Sequence, residues 1–233
     1  MSPLGRTIPL GILAAATLGG CERHVVDIEG PRSGRSLSPA EEAELQRVAD
    51  SAFREARSLL QDLPARLTLI VKFGKDVIPE TGESASFGYP GNVGLTIDPD
   101  RDVLVTIRTF VRACLLHELH HLARMSRVPN SVALRDRVIL EGLATAFERD
   151  TMKATPPWGE VSPEVADWAR EILRLPETVE TEPWFKTRSD GRRFVGYRVG
   201  TFLVDRASKA SKKSPAQLVF ATTAEVLALA NFE

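Results

Sequence analysis

Three of the chain's four histidines fall within five consecutive residues, in Leu116-His117-Glu118-Leu119-His120-His121-Leu122. The cluster sits in a run where Phe110, Val111, Ala113, Cys114, Leu115, Leu116, Leu119 and Leu122 are apolar. A helix that is apolar on nearly every side belongs inside a core. Imidazoles and a carboxylate buried there are costly unless partnered, so the fold must bring something to meet them. His117 and His121 are four apart, which on a helix sets their Cβ atoms about 5–6 Å apart on one face, where both rings can converge on one ion. Glu118 is turned about a quarter turn from His117, beside such an ion and not on it, where it can take a proton from a metal-activated water. His117-Glu118-x-x-His121 therefore reads as an H-E-x-x-H site. The plainer reading of the same residues is a set of hydrogen-bonded core side chains.

A catalytic zinc takes three protein ligands and leaves one position for water. No histidine follows His121, so the third ligand is expected to be a carboxylate. Glu141 follows the apolar Val138-Ile139-Leu140, and Gly142, Ala144 and Ala146 are small enough to let its helix press against the motif helix. Glu148, two turns on, reads as a supporting hydrogen-bond acceptor for the ligands or as an exposed residue. His120 reads as a supporting donor or a core histidine.

Strand patterns precede helical ones along the chain, an order that points to an α+β fold with a small N-terminal sheet followed by a mainly helical part. Ser38-Pro39-Ala40-Glu41 is a capping box with proline at the first helical position, followed by apolar residues at helical spacing up to Leu60. Arg66–Phe73 and Val103–Ile107 are short and rich in β-branched residues, and both predict strands. The glycine-rich stretch between them predicts turns; alternatively Gly91–Ile97 forms an edge strand along a cleft where an extended peptide could add its hydrogen bonds. Helices are expected over Thr109–Met125, from Ser131 or Arg135 to Lys153, over Pro163–Leu175 and Val195–Ser208, with shorter pieces after Pro215.

The first twenty residues carry one positive charge, Arg6, and an apolar run from Ile8 to Leu18, the pattern of a secretory signal. That run is short of the roughly 20 apolar residues a membrane span needs. Leu18-Gly19-Gly20-Cys21 resembles the lipobox of bacterial lipoproteins, which implies cleavage before Cys21 and acylation of its thiol. Glu22 after it implies onward transport to an outer membrane. Residues 1–20 are then the signal, 21–37 a tether rich in glycine and polar residues, and 38–233 the folded domain. Cys114 is the only other cysteine, so a chain acylated at Cys21 has no internal disulfide. Thirty Lys and Arg against 31 Asp and Glu leave a net charge of −1, which offers no field for a nucleic acid.

Leu115–Glu148 resembles the gluzincin metallopeptidases and, more closely, the group described as predicted zinc-dependent proteases, DUF2268. The likeness rests on His117-Glu118-Leu119-His120-His121, on Glu141-Gly142-Leu143-Ala144, and on a glycine-tyrosine segment, Gly196-Tyr197-Arg198-Val199-Gly200. It implies a zincin-like fold, a Zn2+ cofactor and hydrolysis of a peptide or protein substrate, with Glu118 as general base. Tyr197 is either a packing residue or, as the resemblance implies, a phenol that stabilises the oxyanion; Tyr89 is the one other tyrosine. The lipobox places this activity on the periplasmic side of a membrane. Two other functions fit the same residues: a non-catalytic zinc-containing binding module of the envelope, and hydrolysis of a non-peptide amide.

Overall fold

A computed structural model describes residues 24–232 apart from 33, 89, 90 and 130. The signal over residues 1–20, Cys21 and Tyr89 lie outside the described residues.

The first element corrects the tether. Val26–Glu29 forms strand β1 and pairs in parallel with β2, Leu67–Phe73. Val26 and Ile28 alternate toward the core, and the Asp50 carboxylate accepts the backbone N–H groups of Val25 and Val26 at 2.9 and 3.0 Å. The folded body therefore begins before Ser38. Asp50 belongs to helix α1, Pro39–Leu59, which starts on the expected capping box: the Ser38 hydroxyl accepts from the Glu41 N–H, and the Glu41 carboxylate accepts from the Ser38 N–H. Leu45, Val48, Ala49, Ala52, Phe53 and Ala56 line its buried face.

Strands β3, Glu83–Gly88, and β4, Asn92–Ile97, complete a four-stranded mixed sheet in the order β1-β2-β4-β3. β4 lies parallel to β2 and antiparallel to β3. Gly91–Ile97 thus supplies a strand, but an inner one, and the edge belongs to β3. That strand is faint in the sequence because serines alternate with Ala85 and Phe87 and glycines stand at both ends. Gly82, at φ +77°, makes the turn into it, a conformation that suits glycine.

Val103–Ile107 is helical, contrary to the strand expected from its β-branched residues. Asp102 caps α2, Val103–Thr106, by accepting from the Val105 N–H at 3.1 Å. A π-helical turn, Ile107–Val111, then leads without a break into α3, Arg112–Met125. Capping and burial of Val103, Ile107 and Val111 outweigh the modest helix penalty of β-branched residues.

The remainder is helical: α4, Leu134–Met152; α5, Val165–Arg174; α6, Val195–Ser211; and α7, Thr223–Ala230. Two apolar clusters result. One joins the sheet, α1 and α3; the other joins α4 to α7 through residues such as Ile139, Leu143, Val199 and Leu203. Arg124, buried on α3, ties the C-terminal chain to the first cluster by donating to the carbonyls of Val219 and Ala221 at 2.7 and 2.6 Å.

Helices α4 and α6 cross at Gly142 and Gly200. A Cβ at Gly142 would collide with the Gly200 backbone, and one at Gly200 with the Val138 carbonyl oxygen. Backbone cannot swing aside as a side chain does. Gly142→Ala and Gly200→Ala are each expected to destabilise the fold by about 1–3 kcal/mol through overpacking, read as a lowered midpoint in urea unfolding. A midpoint equal to the parent's in either variant would show that the crossing has room to spare.

Candidate metal centre

Position along α3 decides what each polar residue meets. His117 and His121 share one face and turn toward α4, with ring centroids 4.7 Å apart. Glu141, Ala144 and Glu148 stand at helical spacing on the opposing face of α4, and the small, fully buried Ala144 lets the helices approach between the two carboxylates. Glu141 Oε2 lies 3.1 Å from His117 Nε2 and 3.3 Å from His121 Nε2. Glu148 Oε2 lies 3.1 Å from the other nitrogen of His117, Nδ1, and also accepts from the Trp158 indole at 3.4 Å. His117 is thereby clamped between two carboxylates of one helix. The smallness of Gly142 serves the contact with α6.

The donor set of His117, His121 and Glu141 could hold a metal ion, with one atom from each residue lying within 4.8 Å of the others. Four ligands at tetrahedral positions 2.0–2.1 Å from an ion stand about 3.3 Å apart, which is the spacing found between Glu141 Oε2 and the two imidazole nitrogens. The side chains are largely enclosed, at 10% exposure for His117, 3% for His121 and 12% for Glu141. Burial pushes the Glu141 carboxyl up, but the charges and hydrogen bonds of His121 and His117 outweigh it and hold the group far below the usual carboxylate range. For His117 burial opposes the charged form, and Glu141 and Glu148 outweigh it and raise the imidazole.

Glu118 projects beside this cluster into a cleft of about 540 Å³, shared with Glu83, Cys114, Trp158, Phe194 and Tyr197. Burial raises its carboxyl, while His121, His117 and the Phe87 backbone N–H work the other way. Tyr197 on α6 reaches the same cleft, its ring 6.3 Å from that of His117 and set edge-on against Phe185 at 5.3 Å. Its phenol is raised, first by burial and then by Glu141 and Glu118, and so stays protonated.

His120 does not support the cluster. It lies 100° of helix rotation from His121, fully buried, with its ring 5.4 Å from Phe147 and neither nitrogen hydrogen bonded among the described residues. Burial pushes its pKa well down, so the ring is a neutral core histidine. Sequence reasoning also passed over Glu83, Trp158 and Phe194. For Glu83 a signal existed, the alternation Glu83-x-Ala85-x-Phe87, but the serines between hid it.

A family model described as predicted Zn-dependent protease, DUF2268, matches residues 45–228. The chain belongs to this family. No curated protein matches the chain, and no solved structure does. The DUF2268 match contains all four of the α3 and α4 residues that converge, together with Glu118 and Tyr197, while β1 precedes it.

Glu148 fixes the ring of His117 from behind, so Glu148→Gln is expected to weaken zinc affinity by about 10- to 100-fold, measured by competition with a chromogenic chelator. Affinity equal to the parent's would mean that packing alone orients His117.

Proposed function

We propose that the chain is a zinc-dependent peptidase of the cell envelope, tethered by an acylated Cys21 on the periplasmic side of a membrane. The observation that carries the peptidase reading is the convergence of His117 Nε2, His121 Nε2 and Glu141 Oε2, with His117 and Glu118 lining an open cleft. A structural zinc site is closed by four protein ligands, whereas this set offers three among the described residues and meets the cleft through His117. That contrast favours an enzyme over a binding module. The location follows from the apolar run and the Leu18-Gly19-Gly20-Cys21 sequence.

His117, His121 and Glu141 would hold the ion, and Glu148 keeps the His117 ring in place through Nδ1. When bound, zinc supplies a Lewis acid that polarises a carbonyl and brings the acidity of water toward neutrality. Glu118 takes the proton of the attacking water and passes it to the departing amine nitrogen. A carboxyl raised by burial is a better base than a free glutamate and a better proton store between the two transfers. The protonated Tyr197 phenol, held by Phe185 and Phe194, donates toward the oxygen that becomes negative. β3 borders the cleft through Glu83, Ser84 and Ala85 and pairs only with β4 among the described strands. The Glu83 carbonyl accepts from the Ile78 N–H at 3.0 Å and the Phe87 N–H meets Glu118, so the stretch between them is the edge an extended peptide would pair with.

Zinc-loaded protein incubated with an unfolded-protein digest should produce new termini detectable by mass spectrometry, and chelation should abolish them. Glu118→Gln is expected to keep the zinc and lose turnover by about 10²–10⁴-fold. A Glu118→Gln protein as active as the parent would remove the general base from this account. Tyr197→Phe should lower kcat by about 10²–10³-fold with little change in KM; an unchanged kcat would return Tyr197 to a packing role.

A further inference from the structure

The cleft contains a buried carboxylate that the reaction does not use. Glu83 opens β3 with its side chain on the strand face that carries Ala85 and Phe87, toward α3. It is 1% exposed, borders the cleft one helical turn ahead of the metal cluster, and meets the Cys114 thiol. The Cys114 and Thr81 side chains hydrogen bond to its carboxyl, yet its Oε2 is buried with no hydrogen-bond partner among the described residues. The charges that act on it are those of Glu148 and Glu118, both negative. The cations of the cleft are engaged elsewhere: Lys186 Nζ lies 3.1 Å from Glu182, and Arg193 pairs with Glu80. Burial pushes the Glu83 carboxyl up, as expected for an acid awaiting a counter-charge.

We propose that Glu83 is the specificity-determining residue of the cleft, accepting the ammonium or guanidinium group of a lysine or arginine side chain of the peptide. This rests on the peptidase reading of the same cleft. An acid with one oxygen unpartnered beside two other acids repels acidic side chains, gains nothing from apolar ones, and has its charge offset only by a cation. Val77, Ile78 and Phe194 around the same cavity suit the aliphatic stem of such a side chain, with its charge at the tip.

The strand direction also fixes on which side of the cut the basic residue lies. Phe87 packs against the His121 ring at 5.2 Å and its N–H faces Glu118, so the reacting bond belongs toward the Phe87 end of β3. Antiparallel pairing is the more stable arrangement on a strand edge. A peptide so bound runs from the Gly88 end to the Glu83 end, and the side chain that reaches Glu83 is C-terminal to the scissile bond.

The test uses peptides that are identical except for lysine, arginine, norleucine or glutamate at the position after the cut. With zinc-loaded protein, lysine and arginine peptides should be cleaved about ten-fold or more faster, by kcat/KM, than the norleucine peptide. In Glu83→Gln that ratio should fall to within about two-fold, with norleucine cleavage retained. Equal cleavage of lysine and norleucine peptides by the parent overturns the proposal without any variant, so poor folding of Glu83→Gln cannot shelter it. A lysine preference that survives in Glu83→Gln, or one that lies on the N-terminal side of the cut, overturns it as well. Binding of the same peptides to zinc-supplemented Glu118→Gln protein, followed by tryptophan fluorescence, separates the two readings. A lysine preference in binding that Glu83→Gln removes, with no cleavage of any peptide by the parent, sinks the peptidase reading and supports the Glu83 site. Equal binding of lysine and norleucine peptides overturns the site.

Discussion

The packing of α3 against α4 is the constraint on which the rest depends. Glu141 and Glu148 stand two turns apart on α4 and grip His117 from both ring nitrogens at 3.1 Å each. A slip of one residue along either helix would rotate a donor about 100° away and leave a charge buried alone, at a cost of several kcal/mol. The helices are therefore locked in register by chemistry as well as by shape. That lock is backed from behind, where the Gly142–Gly200 crossing lets α6 press on α4 and also carries Tyr197 to the cleft.

The electrostatics of this packing are unbalanced in an informative direction. Glu83, Glu118, Glu141 and Glu148 crowd one region, against the imidazoles of His117 and His121, while His120 is held neutral by burial. Excess negative charge at low dielectric is expensive, and buried ion pairs seldom stabilise a fold on their own account. A divalent cation between His117, His121 and Glu141 would offset it, and its charge would then be the largest in the region. Tuned Glu118 and neutral Tyr197 are consequences of the same enclosure.

Much of this was legible in the sequence for a physical reason. The four-residue spacing of His117 and His121 and the seven-residue spacing of Glu141 and Glu148 are local properties of helices, independent of topology. The capping box at Ser38 is local too, and so α1 starts where its sequence says. What was hidden depends on partners distant in the chain. Val26–Glu29 looked like tether because four residues show little period, and its strand character comes from β2 and from Asp50 on α1. Val103–Ile107 looked like a strand because its propensity is β, and one hydrogen bond from the Val105 N–H to the Asp102 side chain together with burial reverses the outcome. His120 shares a motif with two converging histidines, yet helix phase alone sends it to Phe147.

The position of the cleft follows from the two-cluster architecture. Apolar residues of α3 belong to the cluster under the sheet, whereas those of α4 and α6 belong chiefly to the helical one. Polar side chains are least costly where two such clusters meet, because each can reach a partner across the seam without opening a void in either core. The seam also ends at β3, one of the two edge strands of the sheet and the one described strand that borders the cleft. A peptide lying there would touch the sheet through its backbone and the helical half through Tyr197 and Phe194.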